Sequence, residues 1–154
     1  MAALVACGGG RRSEPPAIIV DIPDALAVLP AGVELFQVAG TPRGVELVVA
    51  DDGQAVGYTF ADGTLSEPAE LGPADGYTFR PADVDFDPDE LLTRVIDDLD
   101  DPLITRVEVL GGPDGVVYSA QIRSAAGGVL HIDLGPDGAV RDVVPVVPGD
   151  PAER

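Results

Sequence analysis

Short apolar runs separated by glycine- and proline-rich turns constrain this chain more than any other feature of its sequence. Residues 103–109 and 116–122 alternate between apolar and polar side chains, and Gly111-Gly-Pro-Asp-Gly115 stands between them. This pattern predicts a β-hairpin. Turns at residues 126–128 and 135–138 predict two further strands, at 129–134 and 139–144. Alternation of this kind is typical of an antiparallel sheet with one buried face.

One helix is predicted directly before these strands. Asp87 is an N-cap, Pro88 follows at the first helical position, and Glu90 stands at the capping-box position. The apolar residues that follow recur with the helical period, and they are Leu91, Leu92, Val95, Ile96 and Leu99. Asp101-Pro102 ends the helix. The predicted fold class is therefore α+β, an antiparallel sheet covered by one main helix.

The two periodicities predict a helix-on-sheet core. Its expected members are Val84, Phe86, Leu92, Val95, Ile96, Leu99, Val107, Val109, Tyr118, Ile122, Ile132 and Leu134. The same alternation points Thr105 inward and Ile104 outward. Gly76-Tyr-Thr-Phe79 repeats the motif at residues 57–60, and alternation through residues 82–86 predicts a strand that enters the helix. The aromatic side chains of these motifs are assigned to the core in preference to a ligand-stacking surface.

The first half of the chain carries similar turns. Residues 40–45 match residues 111–116 as G-x-P-x-G-V, 71 positions apart. Apolar runs follow at residues 45–50 and 56–60, and residues 22–29 predict a short first helix. Two interpretations stay open, namely two tandem helix-plus-meander repeats or one mixed sheet without repeat symmetry.

An apolar stretch at the N-terminus ends with Leu4-Val-Ala-Cys7, and three glycines follow. This segment resembles the lipobox of bacterial lipoprotein signal peptides, in which cleavage precedes a cysteine that carries a diacylglyceryl anchor. The resemblance implies lipid attachment at Cys7 and a location on the outer face of the cytoplasmic membrane. Only six residues precede Cys7, against the ~7 to 15 apolar residues of a usual signal peptide. We therefore interpret the start codon as placed too far downstream, or the sequence as shortened at its N-terminus. The alternative is an apolar N-terminus with an incidental thiol.

These features divide the chain into five parts. Residues 1–7 are a truncated lipoprotein signal peptide, and residues 8–16 are a flexible tether. Residues 17–86 form a β-rich half, residues 87–144 the helix and meander, and residues 145–154 a proline-rich tail. No other segment reaches the ~18 apolar residues of a membrane span.

Residues 87–144 resemble a PepSY domain. The resemblance is carried by Leu91 and Leu92 in the helix, by residues 107–109, 116–118 and 131–133 in the strands, and by Asp137-Gly-Ala-Val140 at the last turn. Together with the lipobox, it implies a small cell-envelope lipoprotein of high-GC Gram-positive bacteria. Members of that family are thought to act as accessory, inhibitory or binding modules. β-Lactamase inhibitor proteins are a weaker resemblance, because their disulfides are missing in this chain.

Charge narrows the range of partners. The chain has 27 acidic residues against nine basic ones, all arginine, and a formal net charge of -18. Too few cations are present to neutralise nucleic-acid phosphates, so nucleic acid is excluded as a partner. The negative field favours basic partners. We therefore expect a non-catalytic binding or inhibitory module that contacts an envelope protein or peptide through a sheet face or a hairpin edge.

Two groups of aspartates are weak candidates for a Ca²⁺ site. The first group lies before and at the start of the helix and consists of Asp83, Asp85, Asp87 and Asp89. The second lies at the end of the helix and consists of Asp97, Asp98, Asp100 and Asp101. The first group has the alternate spacing of a calcium loop. An EF-hand is excluded because its sixth position is Pro88 and its twelfth is Arg94. The simpler interpretation is that both groups form a solvent-exposed acidic surface without a bound ion. No cofactor other than Ca²⁺ is expected.

His131 and Asp133 share one strand face. A catalytic triad would need a nucleophile beside them, and Ser119 and Ser124 are the candidates. We interpret the pair as an exposed ion pair in preference to a catalytic one. The alternative function, a small cation-dependent or hydrolytic envelope enzyme, depends on these residues and on the aspartates.

Overall fold

The computed structural model describes residues 17–85, 87–99, 101–124 and 127–146, which form nine strands and two α-helices. The first half contains α1 (Ile22–Ala27), β1 (Glu34–Thr41), β2 (Gly44–Asp51), β3 (Gln54–Ala61), β4 (Thr64–Leu65) and β5 (Ala69–Pro73). The second half contains α2 (Pro88–Asp98), β6 (Leu103–Gly112), β7 (Gly115–Arg123), β8 (Val129–Leu134) and β9 (Val140–Val146). A 3₁₀ turn, Pro81–Asp83, lies between the halves.

All strands belong to one antiparallel sheet. Its order is β4-β3-β2-β1-β6-β7-β8-β9, and β5 pairs with β3 beside β4. Each half is thus a meander, and the β1–β6 pair joins the two in the middle. The predicted α+β class is confirmed, since the sheet is accompanied by one main helix, α2, of 11 residues. Among the described residues, neither helix is long and apolar enough to cross a membrane.

The hairpins of the two halves turn in the same way. Thr41 pairs with Gly44 across the first turn, and Gly112 pairs with Gly115 across the second. Gly44 has a φ of 137° and Gly115 a φ of 124°. Glycine adopts this left-handed conformation without the steric cost that a side chain would impose. The G-x-P-x-G-V sequence therefore encodes a specific turn at both places.

One sheet face, here the inner face, packs against the helices and holds the core. The largest fully buried side chains are Ile19, Ile22, Leu35, Leu47, Leu91, Ile122, Ile132, Val38, Val45, Val95, Val107 and Val109. Of the predicted core, Val95, Val107, Val109, Tyr118, Ile122, Ile132 and Leu134 are buried, and Val84, Leu92 and Leu99 pack partly buried against them. Phe86 lies outside the described residues.

The predicted buried face of α2 is rotated relative to the observed one. Ile96 is 54% exposed, whereas Leu91 is 1% exposed. The reason is the β8–β9 turn, where a side chain at Gly138 would lie 2.7 Å from Leu91 Cα. The backbone of that turn approaches the helix at Leu91, so Leu91 and Val95 face the sheet.

Two strand predictions are wrong in detail. A β-bulge between Ile104 and Arg106 shifts the alternation, so Ile104 is buried at 5% exposure and Thr105 is not an inward residue. The strand predicted into the helix is absent from the described residues 76–85, where Phe79 makes a single bridge to Leu35. Pro81 begins the 3₁₀ turn there, and the Asp83 side chain accepts the Arg80 N–H at 2.8 Å. Tyr77 is 60% exposed, and its backbone carbonyl lies close to Gly111.

The N-terminal residues cross the inner face in the middle of the sheet. Ala17 N–H donates to Ile104 O and Ile18 N–H to Thr41 O, both at 2.9 Å. Ile19 is 1% exposed. A side chain at Gly40 would lie 2.8 Å from Ile18 O, so this crossing requires glycine at that position.

Both sheet edges are protected against pairing with a further strand. On β9, Pro145 has no N–H to offer a further strand. The N–H of Val143 lies on the same side of β9 as Pro145, and it donates to Asp142 Oδ1 at 2.9 Å. On the opposite edge, β5 carries a bulge and ends at Pro73. These are features that disfavour strand addition. β9 also extends to Val146, two residues beyond the predicted strand end at residue 144.

Candidate functional site

The second face of the sheet, here the outer face, is not covered by α1 or α2. Strand pairing places acidic residues from four strands in one row that runs across the outer face, perpendicular to the strands. This row runs from Glu46 through Ala39, Glu108, Ser119 and Asp133 to Asp142. We call Glu46, Glu108, Asp133 and Asp142 the acidic row.

Arg106 on β6 organises the centre of this face. Its Nη1 donates to Glu46 Oε2 at 2.9 Å, and its Nε donates to Glu108 Oε1. Gln37 Nε2 donates to the same Glu108 oxygen at 2.8 Å. The Arg106 side chain is 26% exposed and that of Glu108 18%. The network thus fixes residues from β1, β2 and β6 in one arrangement.

The protonation of Arg106 follows from these contacts. Burial disfavours its charged form, but hydrogen bonds and the charges of Glu108 and Glu46 favour it by more, so the pKa of Arg106 lies above its ordinary value. Arg106 is therefore a permanent cation and a fixed hydrogen-bond donor. It has no capacity to act as a general base.

A groove of about 590 Å³ lies beside Arg106 at one end of the outer face. Its lining residues are Thr41, Pro42, Arg43, Glu46, Thr105, Arg106, Gln121, Arg123 and Val129. Three of the chain's nine arginines thus meet at one place. They come from the β1–β2 turn, from the start of β6 and from the end of β7. We call this the arginine groove.

His131 and Asp133 also lie on the outer face, as their spacing predicts. His131 Nε2 is 3.6 Å from Asp133 Oδ1, and the two side chains are 39% and 52% exposed. Ser119 lies opposite Asp133 and Gln121 lies opposite His131. Within the described strands, His131 makes no hydrogen bond to Ser119 or Ser124, so the sheet does not assemble a nucleophile–base–acid chain.

Two of the candidate cation ligands, Asp87 and Asp83, accept backbone N–H groups through their carboxylates. Asp87 Oδ1 accepts the N–H groups of Asp89 and Glu90 and so caps α2, as predicted. Asp83 accepts the Arg80 N–H, and the Asp85 N–H donates to Tyr118 Oη at 3.1 Å. Among the residues that the structure describes, no three His, Cys, Asp or Glu side chains form a group that could hold a metal ion. Asp97 and Asp101 belong to the described residues, whereas Asp100 and the Asp98 side chain lie outside them.

Sequence reasoning missed the Arg106 network and the arginine groove. One local signal exists, because Arg106 and Glu108 are two residues apart on one strand face. The partner Glu46 stands 60 residues earlier in the chain, and no local pattern predicts that contact. Arg43 and Arg123 likewise reach the groove only through the order of the strands.

Cys7 and the tether at residues 8–16 lie outside the described residues. No protein-family model, curated protein or solved structure matches the chain. The function of the outer face therefore has to be inferred from its own residues.

Proposed function

We propose that this protein is a non-catalytic binding module that receives a protein or peptide partner on its outer face. One observation carries the proposal: neither α1 nor α2 covers the outer face, which bears a fixed polar network, while both sheet edges carry features that disfavour strand addition. A broad polar face with ordered side chains is suited to recognition, because little conformational freedom is lost on binding.

The acidic row favours a partner with basic side chains. Asp133 is 52% exposed and Asp142 is exposed, neither is paired with Arg106, and both lie on the outer face of a chain with a net charge of -18. Such a field accelerates the approach of a positively charged surface and weakens as salt is added. The apolar part of the contact would come from residues near the row, including Val117 at 47% exposure.

The proposal includes a lipid anchor at Cys7 on the outer face of the cytoplasmic membrane. The lipobox-like Leu4-Val-Ala-Cys7 supports it, as does the glycine-rich tether that follows. Ala17, where the described part of the chain begins, is bonded at the sheet's middle through Ile104. A tether attached there leaves the outer face accessible to a partner in the envelope.

We also infer that the two halves are tandem PepSY-like repeats. The matching turns of the two hairpins support this, and so do Gly40 and Gly111, which are 71 positions apart. Each of these glycines is crossed closely by backbone, from Ile18 at Gly40 and from Tyr77 at Gly111. Gly63 and Gly138, with φ values of 77° and 76°, occupy the last turn of each meander.

A paired charge reversal tests the binding face. Full-length wild type, Asp133→Arg and Asp24→Arg would each be used to capture partners from the envelope of the source bacterium. Asp133 lies on the outer face, whereas Asp24 is an exposed aspartate on α1. We expect wild type and Asp24→Arg to capture the same protein and Asp133→Arg to capture at least tenfold less. Equal capture by all three variants contradicts the proposal, and so does turnover of a substrate that His131→Ala abolishes.

Metabolic labelling with palmitate tests the anchor. The chain would be expressed with a complete lipoprotein signal peptide placed before Cys7, and wild type would be compared with Cys7→Ser. We expect label in the wild type and none in Cys7→Ser. A membrane-free, unlabelled wild-type product, or label that survives the substitution, overturns the anchor without affecting the binding face.

A further inference from the structure

The arginine groove gathers three guanidinium groups in a chain whose net charge is -18. Arg43, Arg106 and Arg123 line it together with Glu46, and the adjoining Glu108 accepts a hydrogen bond from Arg106. Arg43 and Arg123 are exposed at its rim.

The groove also holds its central cation ready for a ligand. Nε and Nη1 of Arg106 are taken by Glu108 and Glu46, and Nη2 has no hydrogen-bond partner among the described residues. Arg43 stands in a turn that its own N–H fixes by donating to Thr41 Oγ1 at 3.2 Å. The Arg106 guanidinium is held in place before binding and therefore loses little entropy when the ligand arrives.

We propose that the arginine groove is a binding site for a phosphate group carried on a larger molecule. Guanidinium groups bind phosphate through paired, charge-assisted hydrogen bonds, and several oxygens of one phosphate can meet several arginines. A volume of about 590 Å³ exceeds what phosphate alone fills. Pro42 and Val129 supply apolar lining for the remainder of the ligand.

The position of the groove favours a phospholipid headgroup as the source of the phosphate, an assignment that rests on the proposed anchor at Cys7. Ala17 is bonded to Ile104, the neighbour of the groove residue Thr105. The nine residues of the tether, 8–16, span at most about 30 Å when extended. The anchored domain would therefore keep this end near the membrane, while its acidic remainder is repelled by anionic lipid. A soluble phosphate compound has the same chemistry and is the other source.

Binding of two probes to full-length Cys7→Ser protein tests the site independently of the anchor. The first probe is inorganic phosphate, and its binding is measured from the shifts of arginine side-chain NMR signals. The second probe is a phosphatidylglycerol vesicle, and its binding is measured by sedimentation, with phosphatidylcholine vesicles as the comparison. Arg43→Gln and Arg123→Gln remove groove charges, and Arg94→Gln removes an exposed charge on α2 as the matched control. Circular dichroism would confirm that each variant is folded.

We expect each groove variant to weaken binding at least fivefold and Arg94→Gln to leave it unchanged. Groove-dependent binding to phosphatidylglycerol vesicles assigns the headgroup as the source, and groove-dependent binding to inorganic phosphate alone assigns a soluble phosphate compound. Binding of neither probe, or an equal loss in Arg94→Gln, overturns the proposal. Because the protein tested carries no lipid, a failed anchor at Cys7 would appear only in the palmitate experiment.

Discussion

Val38 and Val109 lie directly opposite each other on β1 and β6, and neither has any exposed surface. They are 71 positions apart, the same spacing that separates the two G-x-P-x-G-V turns. Each valine therefore stands two residues before its turn motif, and the two valines meet where the meanders join. Among the described strands, β1–β6 is the pair that links the two halves of the sheet.

Truncation of this pair should destabilise the whole sheet. Val38→Ala and Val109→Ala each remove two buried methyl groups and leave a cavity, so we expect each to lower the free energy of unfolding by about 2 kcal/mol. Urea unfolding with a single transition would measure both. Val28→Ala is the control, because Val28 is 50% exposed. A double variant whose loss differs from the sum of the two would report the direct contact.

Truncation within α2 distinguishes its buried face from its exposed one. Leu91 is 1% exposed and Ile96 is 54% exposed. We expect Leu91→Ala to cost about 2 to 5 kcal/mol of unfolding free energy and Ile96→Ala less than about 1 kcal/mol. Thermal or urea unfolding of the two variants measures the difference. A larger loss for Ile96→Ala would mean that the helix packs through the other side.

A methyl group at Gly40 should disturb the N-terminal crossing. It would lie 2.8 Å from Ile18 O and 2.9 Å from Ile19 Cγ2, so we expect Gly40→Ala to cost about 1 to 3 kcal/mol. Gly32→Ala is the matched control, because nothing lies within 4 Å of a Cβ there. Hydrogen exchange of the Ala17 and Ile18 amides gives a second readout, and we expect faster exchange in Gly40→Ala only. Unchanged protection of both amides would contradict the crossing.

Alkaline pH should reveal the burial of Tyr118. Burial raises the pKa of its phenol, and the Asp85 charge adds to this, although the Asp85 N–H bond acts in the opposite sense. The pKa is thus higher in the folded chain than the ~10 of the unfolded chain. The resulting stability is fully present below about pH 10 and is lost as the pH rises through the folded value.

Tyr118→Phe should remove that pH dependence. We expect the variant to be less stable at pH 7, since it loses the bond to Asp85, but to lose less unfolding free energy than wild type between about pH 9 and about pH 11. Urea unfolding at a series of pH values measures this. Tyr77→Phe, at a position that is 60% exposed, should keep the wild-type pH dependence. Parallel curves for wild type and Tyr118→Phe would refute the assignment.

Local signals predicted α2 and the strands β6 to β9, because caps, turns and alternation depend on neighbouring residues. The errors arise where distant backbone decides the outcome. The exposure of Ile96 depends on the approach of Gly138 to Leu91, and the bulge after Ile104 has no turn residue to announce it. The spacing 57–60 repeated at 76–79 predicted a strand, but Pro81 turns the chain there.

The candidate site was far less predictable than the fold. His131 and Asp133 were found on one face as alternation requires, since this relation is local. Arg106 acquires its meaning from Glu46, which reaches it through the pairing of β2 with β1 and of β1 with β6. A network of this kind depends on the order of the strands in the sheet, and no short segment of the sequence predicts that order.

The crossing of Ala17 and Ile18 decides how mechanical force enters the domain. Their bonds go to Ile104 on β6 and Thr41 on β1, the two strands at the centre of the sheet. A pull on the N-terminus therefore loads the middle of the structure and not an edge strand that could peel away. A force applied through the N-terminus would first have to pull Ile19 out of the core. Mechanical resistance and the contact between the two halves therefore depend on the same few residues.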